Sequence, residues 1–418
     1  MAHKWTEREI EDFLFRERLG YQRIELPYGL FTPGDGRPEF CDTIFSDVAG
    51  QSVLDVGSYL GYFCQEALRR GATSAHGIEV DKEKVRQASA LAEMNALRPE
   101  FTRADIEDFP FDRPYDVVLC LNVLHHLFDP VGVIQKLARA ARRKLVLEVA
   151  SINPRDGRKL GLGPIARRFL ERHPVIFTAP GIAGRRQRTN AQKYFFTPRA
   201  VETILRNHTK RFARVEVTPS TYKQRFVVVA HARRIRKLLV VSGLTSAGKT
   251  RFLDELAAGT LSADLRSRLP AKCEAWPQIG ADDLSREPLR ARCGSRVDTL
   301  ELDGLCLEYD VLRPLEGATH TFARDQALDL LSVADEVVVV VVDPGPERLI
   351  QQYALGAVAA PRATKRQRWH RHELSKQLAD PAFSETWLGR WRRFVAESYP
   401  RARVVTAGLP IASRGPSN

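Results

Sequence analysis

Apolar positions along the chain fall into short runs separated by amphipathic stretches. In the first half, runs at 52–56, 75–79, 101–104, 115–120 and 144–149 predict strands. The stretches 62–70, 82–95 and 131–142 between them carry helical spacing. Two later runs, 211–218 and 224–231, predict a closing antiparallel pair. The second half repeats the scheme, with strands predicted at 238–242, 276–280, 304–309, 336–342 and 402–406. The expected fold class is α/β: two doubly wound parallel-sheet domains in succession, with ligands at the carboxyl ends of the strands. The expected boundaries are a helical cap over 1–50, a first domain over 51–233 with a basic insertion at 151–193, a second domain over 237–411, and a disordered tail at 412–418. Ala232-Arg233-Arg234-Ile235-Arg236-Lys237 reads as a short basic joint between two strands.

Composition bounds this picture. The chain has 418 residues, 44% of them hydrophobic and 28% charged, which suits two or three packed domains rather than a disordered chain. The longest apolar run, Val337 to Val342, is strand-sized, so no membrane span is expected. The N-terminus lacks the apolar core of a signal peptide, and the six cysteines form no CxxC pair. Both features fit a cytoplasmic protein without a disulfide framework or zinc site. The net charge of +13 favours polyanionic partners, with an arginine-rich composition as the bland alternative.

Two glycine-rich turns carry the candidate chemistry. The first, Asp55-Val56-Gly57-Ser58-Tyr59-Leu60-Gly61, has the pattern DxGxxxG after a strand. Glu79 ends the next predicted strand, where a carboxylate can accept both hydroxyls of a ribose. Asp105 follows the third strand, and the fourth runs into Leu121-Asn122-Val123-Leu124-His125-His126-Leu127. This series resembles the class I S-adenosylmethionine-dependent methyltransferases over about residues 40–231. A nicotinamide dehydrogenase is disfavoured because the turn is not GxGxxG. The resemblance implies a Rossmann-like fold in which Asp55, Gly57, Ser58 and Gly61 line the methionine and ribose part of the donor. It places Glu79 on the ribose, Asp105 and Ile106 on the adenine, and Asn122 at the back of the methyl-transfer cleft. The lead-in from Tyr21-Gln22-Arg23 to Thr32-Pro33-Gly34 also resembles the branch related to tRNA wobble-uridine modification, without carrying a substrate over. A hydroxyl or amine acceptor needs a base, and His126 is the favoured candidate, against a purely packing role for both histidines. An acceptor site is expected in the insertion. Residues 151–193 hold ten Lys/Arg against Asp156 and Glu171, and Tyr194, Phe195 and Phe196 follow directly. Cations with aromatics suit an anionic acceptor with planar or sugar faces, and a solvated face is the alternative.

The second turn, Gly243-Leu244-Thr245-Ser246-Ala247-Gly248-Lys249-Thr250, matches GxxxxGK[ST] between an apolar strand and a helical stretch. Its backbone amides would cradle phosphates, Lys249 would neutralise them and the Thr250 hydroxyl would ligate Mg2+. Over about 237–408 the chain resembles a P-loop kinase. That resemblance implies ATP as ligand, Asp282 or Asp283 as the group orienting or deprotonating an acceptor hydroxyl, and Asp310 in the magnesium shell. The Asp282-Asp283 pair reads equally as a helix N-cap. The basic stretch Arg362, Lys365, Arg366, Arg368 and Arg371 would close as a lid. A regulatory nucleotide-binding domain is the competing reading. Together the two halves lead us to expect a bifunctional methyltransferase and kinase. Its acceptor would be a saccharide, polyol or other anionic molecule of surface-glycan synthesis, with RNA as the alternative.

Overall fold

The computed structural model describes residues 5–111, 113–152, 154–180, 192–207, 209–281, 300–316, 321–358, 374, 376–378 and 380–408. Asp282, Asp283, the basic stretch 362–371 and the tail 412–418 lie outside the described residues. The chain divides into two compact units, Met1–Ala232 and Arg233–Asn418. No helix among the described residues is long and apolar enough to cross a membrane.

The first unit is built on β1 (Ser52–Val56), β2 (Ser74–Glu79), β3 (Glu100–Arg103), β4 (Tyr115–Leu121), β5 (Ala141–Ala150), β8 (Phe212–Pro219) and β9 (Arg225–Ala232). They form one seven-stranded sheet in the order β3-β2-β1-β4-β5-β9-β8. The first five strands are parallel, and β9 joins β5 antiparallel, as β8 joins β9. Alternation along the strands fills two layers. Leu54, Val56, Val118 and Cys120 pack with α5 (Pro130–Ala140), whereas Val53, Val117 and Leu119 pack with α1 (Glu7–Glu17) and α3 (Tyr62–Arg69). The helix expected over 131–142 ends at Ala140, because Ala141 turns extended and pairs with Tyr115. Pairing with β4 thus claims Arg142 and Arg143 for β5.

Of the cap expected over 1–50, α1 and α2 (Pro38–Ile44) are helical. Thr6 and Glu9 form a capping box that satisfies the first amides of α1. Between the two helices the chain runs irregularly, tied by the bridges Gln22↔Asp35 and Glu25↔Phe31. The insertion holds α6 (Pro154–Lys159), α7 (Pro164–Leu170) and a hairpin of β6 (Ile176–Pro180) with β7 (Gln192–Phe196). Ile152, Phe177 and Phe195 give it a small core of its own.

The second unit is a wholly parallel sheet in the order β11-β12-β10-β13-β14. Its strands are β10 (Arg234–Gly243), β11 (Gln278–Gly280), β12 (Glu301–Asp310), β13 (Ala334–Val342) and β14 (Arg403–Ala407). The basic joint expected at 232–237 is strand almost throughout: Ile235 is fully buried, and β10 pairs with β12 and β13 from its first residues. Leu238–Val241 and Val338–Val342 are buried on both faces, which explains their unbroken apolar runs. Helix Pro381–Ser398 covers one face. Its Trp391 stacks on Tyr309 at 5.0 Å and donates from Nε1 to Ser242 Oγ, which in turn donates to the Val340 carbonyl.

Candidate functional site

In the first unit the chain leaves β1, builds β2 and β3 on one side, and then crosses to β4 and β5 on the other. Such a switch point opens a crevice at the carboxyl ends of the strands. The turn after β1 is shaped by glycine. Gly57 and Gly61 hold φ of 75° and 79°. A Cβ at Gly57 would stand 2.4 Å from Val123 Cγ2, and one at Gly61 would stand 2.4 Å from Phe101 Cζ. Only glycine satisfies both demands. Tyr59 and Asn122, on the two sides of the crevice, reach positive φ as well, at 53° and 63°.

Carboxylates give this crevice its character. Asp55 is 2% exposed and its Oδ2 has no partner. Burial, reinforced by the nearby Glu79 charge, pushes its carboxyl up to about 7. Ser58 Oγ is likewise buried and unpartnered. Glu79 accepts from the amide of Tyr59 at 3.1 Å through one oxygen, and from Val80 at 2.8 Å and Asp81 at 3.0 Å through the other. It therefore ties the glycine turn to the end of β2. Asp105 caps the next turn by accepting from Glu107 N, while Ile106 is buried against the adjoining core. An unsatisfied carboxylate, a fixed carboxylate and a turn that excludes side chains fit a ligand presenting hydroxyls or positive charge. Those are the groups of a sulfonium nucleoside.

Several residues here carried no role in the sequence reading. Gln22, in the cap, accepts at Oε1 from the amides of Leu60 and Tyr62 and donates from Nε2 to the Ser58 carbonyl. A side chain 36 to 40 positions upstream thus holds the turn. Glu148, 1% exposed at its side chain, takes Arg37 in a bidentate pair at 2.8 and 3.2 Å. It also accepts from Ser220 and from Arg225. Arg37 and Arg225 both lie over the Tyr222 ring. Arg37, Glu148 and Tyr222 of this cluster, with Asp55, Gly57 and Leu121, line a small cavity of about 40 Å3. A larger cleft of about 230 Å3 lies against Asn122, at the end of β4.

The histidines divide differently from the expectation. His125 lines the larger cleft, whereas His126 is exposed and does not line it. In the short turn Leu124–His126 the two rings lie against each other, with centroids 3.8 Å apart and planes tilted by 42°. Burial, then His126, Lys193 and Arg225, pushes His125 down to about 3, and burial and Lys193 lower His126 as well. Both shifts favour the neutral ring. Of the aromatics after the insertion, Phe195 lines the cleft, while Phe196 belongs to the central core.

In the second unit the loop Gly243–Thr250 joins β10, the middle strand, to α9 (Lys249–Ala257). Gly248 caps that helix at φ 93°, and Ser246 sits at φ 63°. A Cβ at Gly243 would meet the Val342 carbonyl at 2.7 Å. Lys249 is 7% exposed and donates to the Leu244 carbonyl at 2.9 Å, the Gly243 carbonyl at 3.3 Å and Asp310 Oδ2 at 3.2 Å. Asp310 also accepts from Thr245 Oγ1 and from Leu312 N. Asp310 is therefore engaged with Lys249, and the carboxylate reaching Thr250 is Glu308, at 3.0 Å from its hydroxyl. Glu308 thus stands beside Thr250, in addition to the Asp310 expected there. Positions 308 and 310 share a face of β12, so both reach the loop, and their register against Val241 and Gly243 decides which partner each meets. A buried ammonium under a glycine loop at a helix N-terminus, beside a hydroxyl–carboxylate pair, is a donor set that fits a phosphate chain with a hard cation.

Residues 47–170 match a family described as a methyltransferase domain, a span that holds β1 to β5, the first glycine turn, Glu79, Asp105 and Asn122. The ubiquinone biosynthesis O-methyltransferase of Actinobacillus pleuropneumoniae is 33% identical over 110 residues, covering 25% of this chain and 47% of that protein. The tRNA U34 carboxymethyltransferase of Campylobacter lari is 23% identical over 141 residues, covering 34% and 48%. The chain thus spans about half the length of these curated relatives. Among solved structures, the N-terminal domain of EvdMO1 with SAH bound aligns with 56% of this chain and 100% of its own, at 20% identity and a TM-score of 0.45. Within the first unit, residues 47–170 are thus a match to a methyltransferase domain.

Proposed function

We propose that the first unit transfers the methyl group of S-adenosylmethionine to a saccharide, polyol or other anionic acceptor, and that the second unit binds ATP with Mg2+ as a kinase. The observation that carries the first part is the unpartnered, buried Asp55 carboxylate beside the anchored Glu79 at the switch point. When bound, the donor supplies an electrophilic methyl carbon on sulfur. The chain's part is then proximity and alignment. Asp55, Gly57, Ser58 and Gly61 would seat the methionine and ribose part, and Glu79 the ribose hydroxyls. Asp105 and Ile106 would bound the adenine, and Asn122 the methyl-transfer cleft. With His125 held neutral far below its ordinary range, an acceptor that is already an anion suits the site better than one needing a base.

Support for the second part comes from Lys249 buried under the glycine loop and from the Thr250–Glu308 pair. Gly243, Thr245, Ser246, Ala247 and Gly248 would supply the phosphate cradle, Lys249 the charge, and Thr250 with Glu308 the magnesium shell. The work would take place in the cytoplasm, where both small molecules are abundant. The purified full chain, given labelled S-adenosylmethionine and ATP with a panel of phosphorylated and neutral saccharides, tests both halves by product mass. Gain of one methyl and one phosphoryl group on an acceptor supports the reading. Methylation of none overturns the first half, and ATP intact throughout overturns the second.

RNA as acceptor is the second reading. It is favoured by the +13 charge and the similarity to a tRNA-modifying enzyme. Filter binding separates the two: affinity for tRNA that falls steeply with added salt supports RNA, and no retention at low salt removes it.

A further inference from the structure

The larger cleft has a composition unlike the donor crevice. About 230 Å3 in volume, it is lined by Lys193, Lys223 and Arg225 together with His125 and Asn122, and none of its nine lining residues is acidic. The three cations come from separate elements. Lys193 lies on β7 of the insertion hairpin, Lys223 on the turn between β8 and β9, and Arg225 opens β9. Among the described residues neither lysine is paired with a carboxylate, and Arg225 shares Glu148 with Arg37. Lys193 and Lys223 therefore bring positive charge to a cleft with no carboxylate among its lining residues, beside an Arg225 that only shares one.

The rim is fixed. Ser151, just past β5, donates its amide to the Gln224 carbonyl at 2.9 Å, and Gln224 holds a φ of 65°. β7 is anchored by Phe195 and Phe196 in two cores, so Lys193 projects from a packed strand. Bringing three cations onto one cleft costs repulsion that a folded chain sustains where an anion offsets it. The lowered proton affinity of His125, driven by burial and then by His126, Lys193 and Arg225, leaves its ring as a neutral hydrogen-bonding wall. The cleft also adjoins the donor crevice: Leu121 lines the cavity holding Asp55 and Gly57, and its neighbour Asn122 lines the cleft.

We propose that this cleft is an oxyanion subsite in which Lys193, Lys223 and Arg225 hold a phosphate or carboxylate group of the acceptor beside the methyl-transfer position. Its link to an acceptor rests on the methyltransferase reading; its anion binding does not.

The test uses the full chain with S-adenosylhomocysteine, titrated in separate arms with inorganic phosphate, acetate and neutral glycerol. Binding is read from the ring signals of His125, on the cleft wall, and its neighbour His126 by NMR. A saturable shift is expected with phosphate, acetate or both, and none with glycerol; the stronger of the two anions names the acceptor's group. In the double variant Lys193→Gln, Lys223→Gln the affinity should fall about ten-fold or more. Retention of S-adenosylhomocysteine shows that this variant is folded. No saturable shift with either anion, or a shift that the double variant leaves unchanged, overturns the proposal. An anion shift without any S-adenosylhomocysteine binding would keep the subsite and remove the methyltransferase reading instead.

Discussion

The two glycine turns of this chain use one backbone device for opposite electrostatics. Each leaves a buried parallel strand at its carboxyl end, and each hands over to a helix through a left-handed glycine, Gly61 at φ 79° and Gly248 at φ 93°. Around the first, the side chains are acidic: buried Asp55 has an unpartnered oxygen and half-buried Glu79 is clamped by three amides. Beneath the second lies an ammonium, Lys249, held by two carbonyls and Asp310. The glycines therefore make room, while the neighbouring ionisable groups choose the ligand. A turn backed by carboxylates suits hydroxyls and a sulfonium, and a turn backed by an ammonium at a helix N-terminus suits phosphate.

The largest effects should come from removing the shared device one turn at a time. Gly61→Val forces a branched side chain into positive φ and against Phe101. Strain and overpacking together should destabilise the turn by about 2–6 kcal/mol and abolish S-adenosylhomocysteine binding. ATP binding, read by calorimetry, should be unaffected, and loss of both would break the comparison. Next comes Asp55→Asn. Its carboxyl, held at about 7 against an ordinary 3.8, keeps a proton in the folded state that the unfolded chain releases across that window. Stability should therefore fall as pH rises from about 4 to 7, by at most about 4 kcal/mol from this group at 1.36 kcal/mol per pH unit. In melting curves without ligand, the advantage of the asparagine variant should widen over that window and level off above it. A gap that is constant with pH would remove the orphaned-carboxylate argument.

Lys249→Ala should follow, weakening ATP binding by about 1.5–3 kcal/mol through loss of charge-assisted hydrogen bonds while sparing S-adenosylhomocysteine. The smallest and most discriminating effect concerns the β12 carboxylates. Glu308→Gln should reduce Mg2+-dependent ATP binding by about ten-fold, since it holds Thr250, with Asp310→Asn altering binding in Mg2+-free buffer as well. Equal magnesium dependence in both variants would contradict the division drawn between them.

Much of this was legible in the order of residues. Both turns, the strand ends bearing Asp55, Glu79 and Asn122, and the closing antiparallel pair follow from local periodicity and glycine spacing. The unread part depends on distance or on facing. Gln22 grips a turn 36 to 40 positions away, and Glu148 gathers Arg37, Ser220 and Arg225 from three separate segments. No local pattern encodes such meetings. Glu308 and Asp310 alternate onto one face of a strand, so the sequence offers both to the loop and only the register against β10 assigns them. His125 and His126 are neighbours on a tight turn, where a rotation of one residue exchanges cleft for solvent. The helix expected to reach 142 stopped at Ala140 because β4 offered a pairing edge, a tertiary effect that propensity does not contain.

The most direct measurement is calorimetry of the full chain with S-adenosylhomocysteine and with ATP plus Mg2+, separately and in sequence. The account predicts two independent saturable heats, the first removed by Gly61→Val alone and the second shifted to at least about ten-fold weaker affinity by Lys249→Ala alone. Absence of both heats, or an ATP affinity that Lys249→Ala leaves unchanged, would contradict it.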